Sequence, residues 1–350
     1  MLWAGCDAYI HHSPVAPSPV GAVDALPAMS LGVLSQAQIE AIRAGRDARM
    51  ARARRLGWRK RVSYRIQYWV MLTVVGLLRV LPVETASALG GWVGRTLLAR
   101  RLDTETVRRT IRVPFPEADD VRIGALVRET ADNIVRVIAE TAHLETFVRE
   151  PERLHVEGEE HVRAATAGGR GVLFVVGHLA NWEVSAIPLR RVGLDGTYAV
   201  MPPSNPYVFD WLTRLRMSVG FSGQANAGEG VYRSFRKALR QGQGAIVLAD
   251  QRLANGVMAP FFGIETMTNV IPARLARTLG VAVVPLAVRR VAGRAAHFVV
   301  AFQPPLEFVS TGDDAADERA FTARINAFYE QEILAAPGQW LWVDPRWEPA

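Results

Sequence analysis

From residue 171 onward, short unbroken apolar runs alternate with longer segments whose apolar residues recur every three or four positions. The runs GVLFVVG (171–177), GTYAVM (196–201), GAIVLAD (244–250), VAVVPLAV (281–288) and HFVVAF (297–302) have the length and composition of buried strands. Helical spacing fills the gaps over 181–192, 205–219, 229–241 and 270–279, the last closed by Gly280. Upstream, Val121, Ile123, Val127, Ile134, Val137 and Ile138 give a helical face within 120–150. Continuous apolar strands separated by helices predict an α/β fold with a mostly parallel central sheet flanked by helices. No internal repeat at solenoid spacing is present.

The pattern changes toward the amino end. Residues 1–40 are read as a disordered lead-in, since HHSPVAPSPV carries no sustained period and lacks the order of a signal peptide. Nine basic residues then fall between Arg43 and Arg61, and the apolar stretch YWVMLTVVGLLRVLP (68–82) follows directly. That stretch is shorter than the roughly 20 residues that cross a bilayer, and reaches the lower limit only if Arg65 and Arg79 snorkel at its ends. A buried core helix, a membrane anchor and a helix lying in the interface all fit its length. Flanking arginines, Tyr and Trp favour the two membrane readings. A second amphipathic segment, VETASALGGWVGRTLLARR, continues the region, so 41–100 is expected to form membrane-associated helices and 101–350 a catalytic domain.

Composition narrows the class. Of 350 residues, 49% are hydrophobic and 21% charged, which suits a globular chain with a full core. The formal charge of +7 points to an anionic partner, and it is carried almost wholly by arginine because lysine occurs only at 60 and 237. The basic run has no interleaved aromatics for base stacking before Trp58, so nucleic acid is not the expected partner. Cys6 is the one cysteine; it supplies neither a disulfide frame nor a thiolate metal site.

In open α/β sheets, ligands gather beyond the carboxyl ends of the strands. Two of the most apolar runs end there in polar residues: 171–177 leads into His178, and 244–250 leads into Asp250-Gln251-Arg252. Glu183 lies five residues after His178. On one continuous helix that spacing separates the two by about 140°, so they meet only if His178 sits on the turn and a helix starts near Ala180 or Asn181. Glu183 could then accept the Nδ1 proton of His178 and leave Nε2 as a general base. A satisfied histidine at a strand end beside an N-terminal glutamate fits the same spacing. A zinc site would need a second histidine near the first, and none is there. Ser185 lacks the glycine-flanked elbow of a serine nucleophile. The glycines of 168–171 and 242–244 precede their strands and so read as turns, not as a dinucleotide loop.

The chain resembles the bacterial lipid A biosynthesis acyltransferases, the lauroyl and myristoyl transferases of the lysophospholipid acyltransferase superfamily. GHLANWE (177–183) matches that family's Gly-His-x-x-Asn-Trp-Glu block. ADQR (249–252), PFFG (260–263), TNVIPARLARTLGVAVVP (268–285) and PGQWLWVDPRW (337–347) resemble its later blocks in order. The closing block departs from the family pattern at Gly338 and at Asp344-Pro345.

The resemblance implies transfer of an acyl chain from acyl carrier protein to a hydroxyl of a lipid A precursor, a phosphorylated glycolipid. It implies this without cofactor, metal or acyl-enzyme, at the cytoplasmic face of the cell inner membrane. His178 would be the base and Glu183 its partner. Asn181, Arg216, Asp250, Gln251 and Arg252 would serve substrate binding, with Arg214 competing for the role of Arg216. A glycolipid of the phosphatidylinositol mannoside type is the alternative acceptor.

Overall fold

The computed structural model describes residues 56–200, 203–226 and 229–347, together with Met50. The expected lead-in and most of the basic run therefore lie outside the described residues. The expected strands all form: β2 (Val172–Val176), β3 (Gly196–Val200), β5 (Gly244–Leu248), β8 (Ala282–Arg290) and β9 (Phe298–Phe302). They are joined by β1 (Leu154–Glu157) and β4 (Phe221–Asn226) in a seven-stranded sheet of order β1-β9-β8-β2-β5-β3-β4. Every neighbouring pair is parallel except β8 with β9.

Strand β2 shows why its run is apolar throughout. All five of its residues are buried, with Val172, Phe174 and Val176 facing one core and Leu173 and Val175 the other. Strand β4, FSGQAN, had no apolar run to announce it and lies at the sheet edge. A separate hairpin of β6 (Arg252–Phe261) and β7 (Ile264–Thr268) was also not expected. Its two-residue turn, Phe262-Gly263, has both φ values positive (50° and 74°), as a right-twisted hairpin demands.

The amino-terminal helix α1 runs over Trp58–Val80, so it takes in the last basic residues as well as the apolar stretch. None of its residues is buried, and Trp58, Val62, Ile66, Trp69, Val70, Val74, Leu77 and Val80 form an exposed stripe at helical spacing. No helix among the described residues is long and apolar enough to cross a membrane. Helix α1 rests on the domain by few bonds. Asn205 Nδ2 donates to the Tyr64 carbonyl at 2.8 Å, His143 Nε2 to that of Leu78 at 3.0 Å, and Arg79 Nε to that of Ala142 at 2.8 Å.

Helix α2 (Val83–Val93) packs closely on the long helix Asp120–Thr141. A Cβ on Gly94, just beyond α2, would lie 2.2 Å from the Ala131 carbonyl, so only glycine permits that approach. The continuous helix expected over 181–192 is instead two 3-10 turns, Trp182–Val184 and Ile187–Val192. Pro188 has no N–H to continue an α-helical ladder through this stretch, which divides it.

Candidate active site

Strands β2 and β5 are parallel neighbours with Val176 opposite Leu248. His178 and Asp250 each follow their strand by two residues, so the register places them side by side. His178 Nδ1 lies 2.8 Å from Asp250 Oδ1, and the His178 backbone N–H donates to Oδ2 at 2.7 Å. Trp340 Nε1 donates to the same Oδ2 at 2.7 Å. Asp250 is fully buried. Burial works against its ionisation, but the His178 charge and the bonds from His178 and Trp340 prevail and hold its carboxyl below the usual aspartate range. With Nδ1–H given to Asp250, Nε2 is the basic nitrogen of the neutral ring. The ring keeps 18% of its exposure and meets the Trp182 indole edge-on at 5.1 Å.

This geometry corrects the expected role of Glu183. Ala180 adopts φ of +48° on the turn and a 3-10 helix starts at Trp182 with Asn181 as its cap, yet no hydrogen bond joins Glu183 to the imidazole among the described residues. Glu183 instead takes a bidentate pair from Arg216, Nε to Oε2 at 2.8 Å and Nη2 to Oε1 at 2.5 Å. Both side chains are nearly buried, and the guanidinium lies over the Tyr198 ring at 5.0 Å. Burial opposes the Arg216 charge, yet the Glu183 carboxylate outweighs it and raises the Arg216 pKa. Burial first, then Glu183, raises that of the Tyr198 phenol.

Asn181 and Asp250, expected to bind substrate, are both fully buried and face protein. Asn181 Oδ1 accepts the Glu183 N–H at 3.2 Å, and its Nδ2 donates to Glu140 Oε2 at 3.1 Å. Arg214 pairs with Asp210 at 3.3 Å, so Arg216 is the arginine brought to the motif. Gln251 and Arg252 follow Asp250 and stay half-exposed, with the Arg252 N–H donating to Asp344 Oδ2 at 3.1 Å. Among the described residues no hydrogen bond joins their side chains to His178 or Glu183.

Sequence reasoning missed the carboxyl-terminal clamp on the histidine loop. The Leu341 N–H donates to the His178 carbonyl at 3.1 Å, the Ala180 N–H to that of Gln339 at 2.9 Å, and Leu179 bridges Trp340. Beneath the loop, the buried Tyr329 hydroxyl donates to the Val176 carbonyl at 3.1 Å. The dense Trp residues of PGQWLWVDPRW were the available signal.

An imidazole oriented by a buried carboxylate can take a proton from a hydroxyl. Among the described residues no covalent nucleophile is hydrogen-bonded to His178. Ser185 is fully buried with no hydrogen-bond partner for Oγ, and Cys6 lies outside the described residues. Among the described residues no group of three or more His, Cys, Asp or Glu side chains could hold a metal ion.

The sequence model of the bacterial lipid A biosynthesis acyltransferases matches residues 57–348, nearly the whole described chain. The chain belongs to that family. This acyltransferase is 27% identical over 290 residues to the lipid A biosynthesis palmitoleoyltransferase of Escherichia coli K12, covering 80% of the chain and 90% of that relative. It is 26% identical over 294 residues to the lipid A biosynthesis lauroyltransferase of the same organism, with the same coverage of each. Over 198 residues it is 30% identical to the phosphatidylinositol mannoside acyltransferase of Mycobacterium tuberculosis H37Rv, covering 55% of the acyltransferase and 59% of that relative.

Proposed function

We propose that this acyltransferase moves a fatty acyl chain from acyl carrier protein to a hydroxyl of a lipid A precursor, with His178 as general base. The observation carrying the reading is the 2.8 Å contact of His178 Nδ1 with Asp250. His178 Nε2 takes the acceptor's hydroxyl proton as the oxygen attacks the thioester carbonyl. A C–O bond forms, the C–S bond breaks, and the imidazolium returns the proton to the departing thiolate. Asp250 orients the ring and stabilises its charged form. The Glu183–Arg216 pair fixes the loop's second turn against the helix Pro206–Ser218. Gln251 and Arg252, half-exposed beyond Asp250, are suited to an anionic headgroup.

The reaction is proposed to run at the cytoplasmic face of the inner membrane. The exposed apolar stripe of α1 would lie in the interface, and Arg59, Lys60, Arg61 and Arg65 would meet anionic lipid headgroups. A phosphatidylinositol mannoside type of acceptor is the second reading, favoured by the mycobacterial relative. The lipid A biosynthesis family model over residues 57–348 supports lipid A as the first reading.

The test is acyl transfer from acyl carrier thioester to each acceptor by the wild type and by His178→Ala. A loss of about 10²–10⁴-fold in kcat is expected for the folded variant. Near-normal turnover by folded His178→Ala removes the mechanism, and transfer only to the mannoside removes the acceptor.

A further inference from the structure

A buried polar junction lies directly behind the histidine loop, and the chemistry above makes no use of it. Glu140, on the helix Asp120–Thr141, is fully buried and accepts four hydrogen bonds. Ser87 Oγ donates at 2.6 Å and Asn181 Nδ2 at 3.1 Å. Arg290, at the end of β8, grips the carboxylate with both terminal nitrogens, Nη2 at 3.1 Å and Nη1 closer. The same Nη2 holds Asn133 Oδ1 at 3.2 Å, which aims Asn133 Nδ2 at the carbonyls of Ala180 (3.1 Å) and Gln339 (3.0 Å). Gln339 Oε1 in turn accepts the Arg290 N–H at 2.8 Å.

Stability alone is a poor reason for such a pair. A buried ion pair is often matched or bettered by apolar residues of similar volume, because desolvation consumes the Coulombic gain. Its contacts point elsewhere. Two of its connections end on the loop between His178 and Glu183: Asn133 on the carbonyl of Ala180, and Asn181, whose Oδ1 caps Glu183. Ala180 has the one positive φ in that loop, a conformation that a non-glycine residue holds only under outside constraint.

We propose that the buried Glu140–Arg290 pair, acting through Asn133 and Asn181, is a positioning device for the general-base loop. It sets where His178 Nε2 stands and touches neither substrate. The proposal rests on His178 being the base. Displacing a reacting group by about 1 Å can lower turnover about 10²-fold. The pair supplies that placement from behind, while Asp250 supplies the tautomer from the side.

The test compares wild type, the double variant Glu140→Leu/Arg290→Met, Asn133→Ala and His178→Ala as full-length proteins. Melting temperature, and kcat and KM for acyl carrier thioester, are measured for each. The double variant removes both charges together, so it should still fold, with a melting temperature lowered only by the two donors, Ser87 Oγ and Asn181 Nδ2, that lose their acceptor. Its kcat should fall about 10²-fold while KM stays within about twofold. Asn133→Ala, which leaves the ion pair in place, should show the same split with a smaller fall. Wild-type kcat in a folded double variant or in folded Asn133→Ala overturns the positioning role. Loss of fold in both overturns it as well, because the junction is then a stability element. An active His178→Ala defeats the general-base reading itself. An inactive His178→Ala beside active junction variants defeats only the positioning role.

Discussion

Replacing Asp250 by asparagine probes the centre of the site with almost no change of shape. In the wild type, Oδ2 accepts two donors, the His178 N–H and Trp340 Nε1–H, each at 2.7 Å. Only the asparagine carbonyl can occupy that place, so the amide nitrogen must face His178 Nδ1, 2.8 Å from it in the present geometry. Two N–H groups cannot share that contact. Nδ1 becomes the acceptor, the ring proton moves to Nε2, and the base is lost. The expected fall in kcat is about 10²–10⁴-fold, or about 3–5 kcal/mol of barrier. KM should hold, because Asp250 is fully buried and cannot touch substrate.

Stability gives an independent readout. The folded Asp250 pKa is lowered from the ordinary 3.8, so its contribution is present above about pH 4. That contribution is lost as pH falls through the folded value. The melting-temperature gap between wild type and Asp250→Asn should therefore narrow below pH 4. Steady-state kinetics with carrier thioester at neutral pH, and melts from pH 7 to 3, would check both. A folded Asp250→Asn enzyme keeping more than about a tenth of wild-type kcat would refute the tautomer argument.

Glu183→Ala strips the partner from the nearly buried Arg216 and should cost about 3–5 kcal/mol in urea unfolding, much of it recovered in Glu183→Ala/Arg216→Met. Wild-type stability in the single variant would mean that the pair is worth little. Ser185→Ala should keep full turnover, and intact-protein mass spectrometry with donor alone should show no acyl adduct, since Oγ is buried without a partner. A serine-bound acyl group would overturn direct attack. Trp69→Glu/Leu77→Glu alters only the exposed stripe of α1, so it should leave the melt unchanged while reducing sedimentation with anionic vesicles. Unchanged sedimentation would place membrane attachment elsewhere.

Hydrophobic patterning was enough to read five of the seven strands of the sheet and the two strand ends that form the candidate site. A strand covered on both faces must be apolar throughout, and the break at Gly177-His178 and at Asp250 is visible in one dimension. The polar edge strand β4 and the hairpin β6–β7 left no such trace, because neither segment is a continuous apolar run in the sequence. The partner of His178 was equally out of reach. Local spacing offered Glu183, but whether residues five apart can meet depends on the backbone between them, and Ala180 turns left-handed there. Asp250 is 72 residues away and reaches the ring only because β2 and β5 pair in parallel with Val176 opposite Leu248. Strand order is chosen by the packing of both cores at once, which no local pattern encodes. The same holds for the clamp of Trp340 and Gln339 and for the Glu140–Arg290 pair. The Trp-rich segment was visible but not what it would hold, and Glu140 and Arg290 are common types at ordinary positions that meet only through tertiary packing.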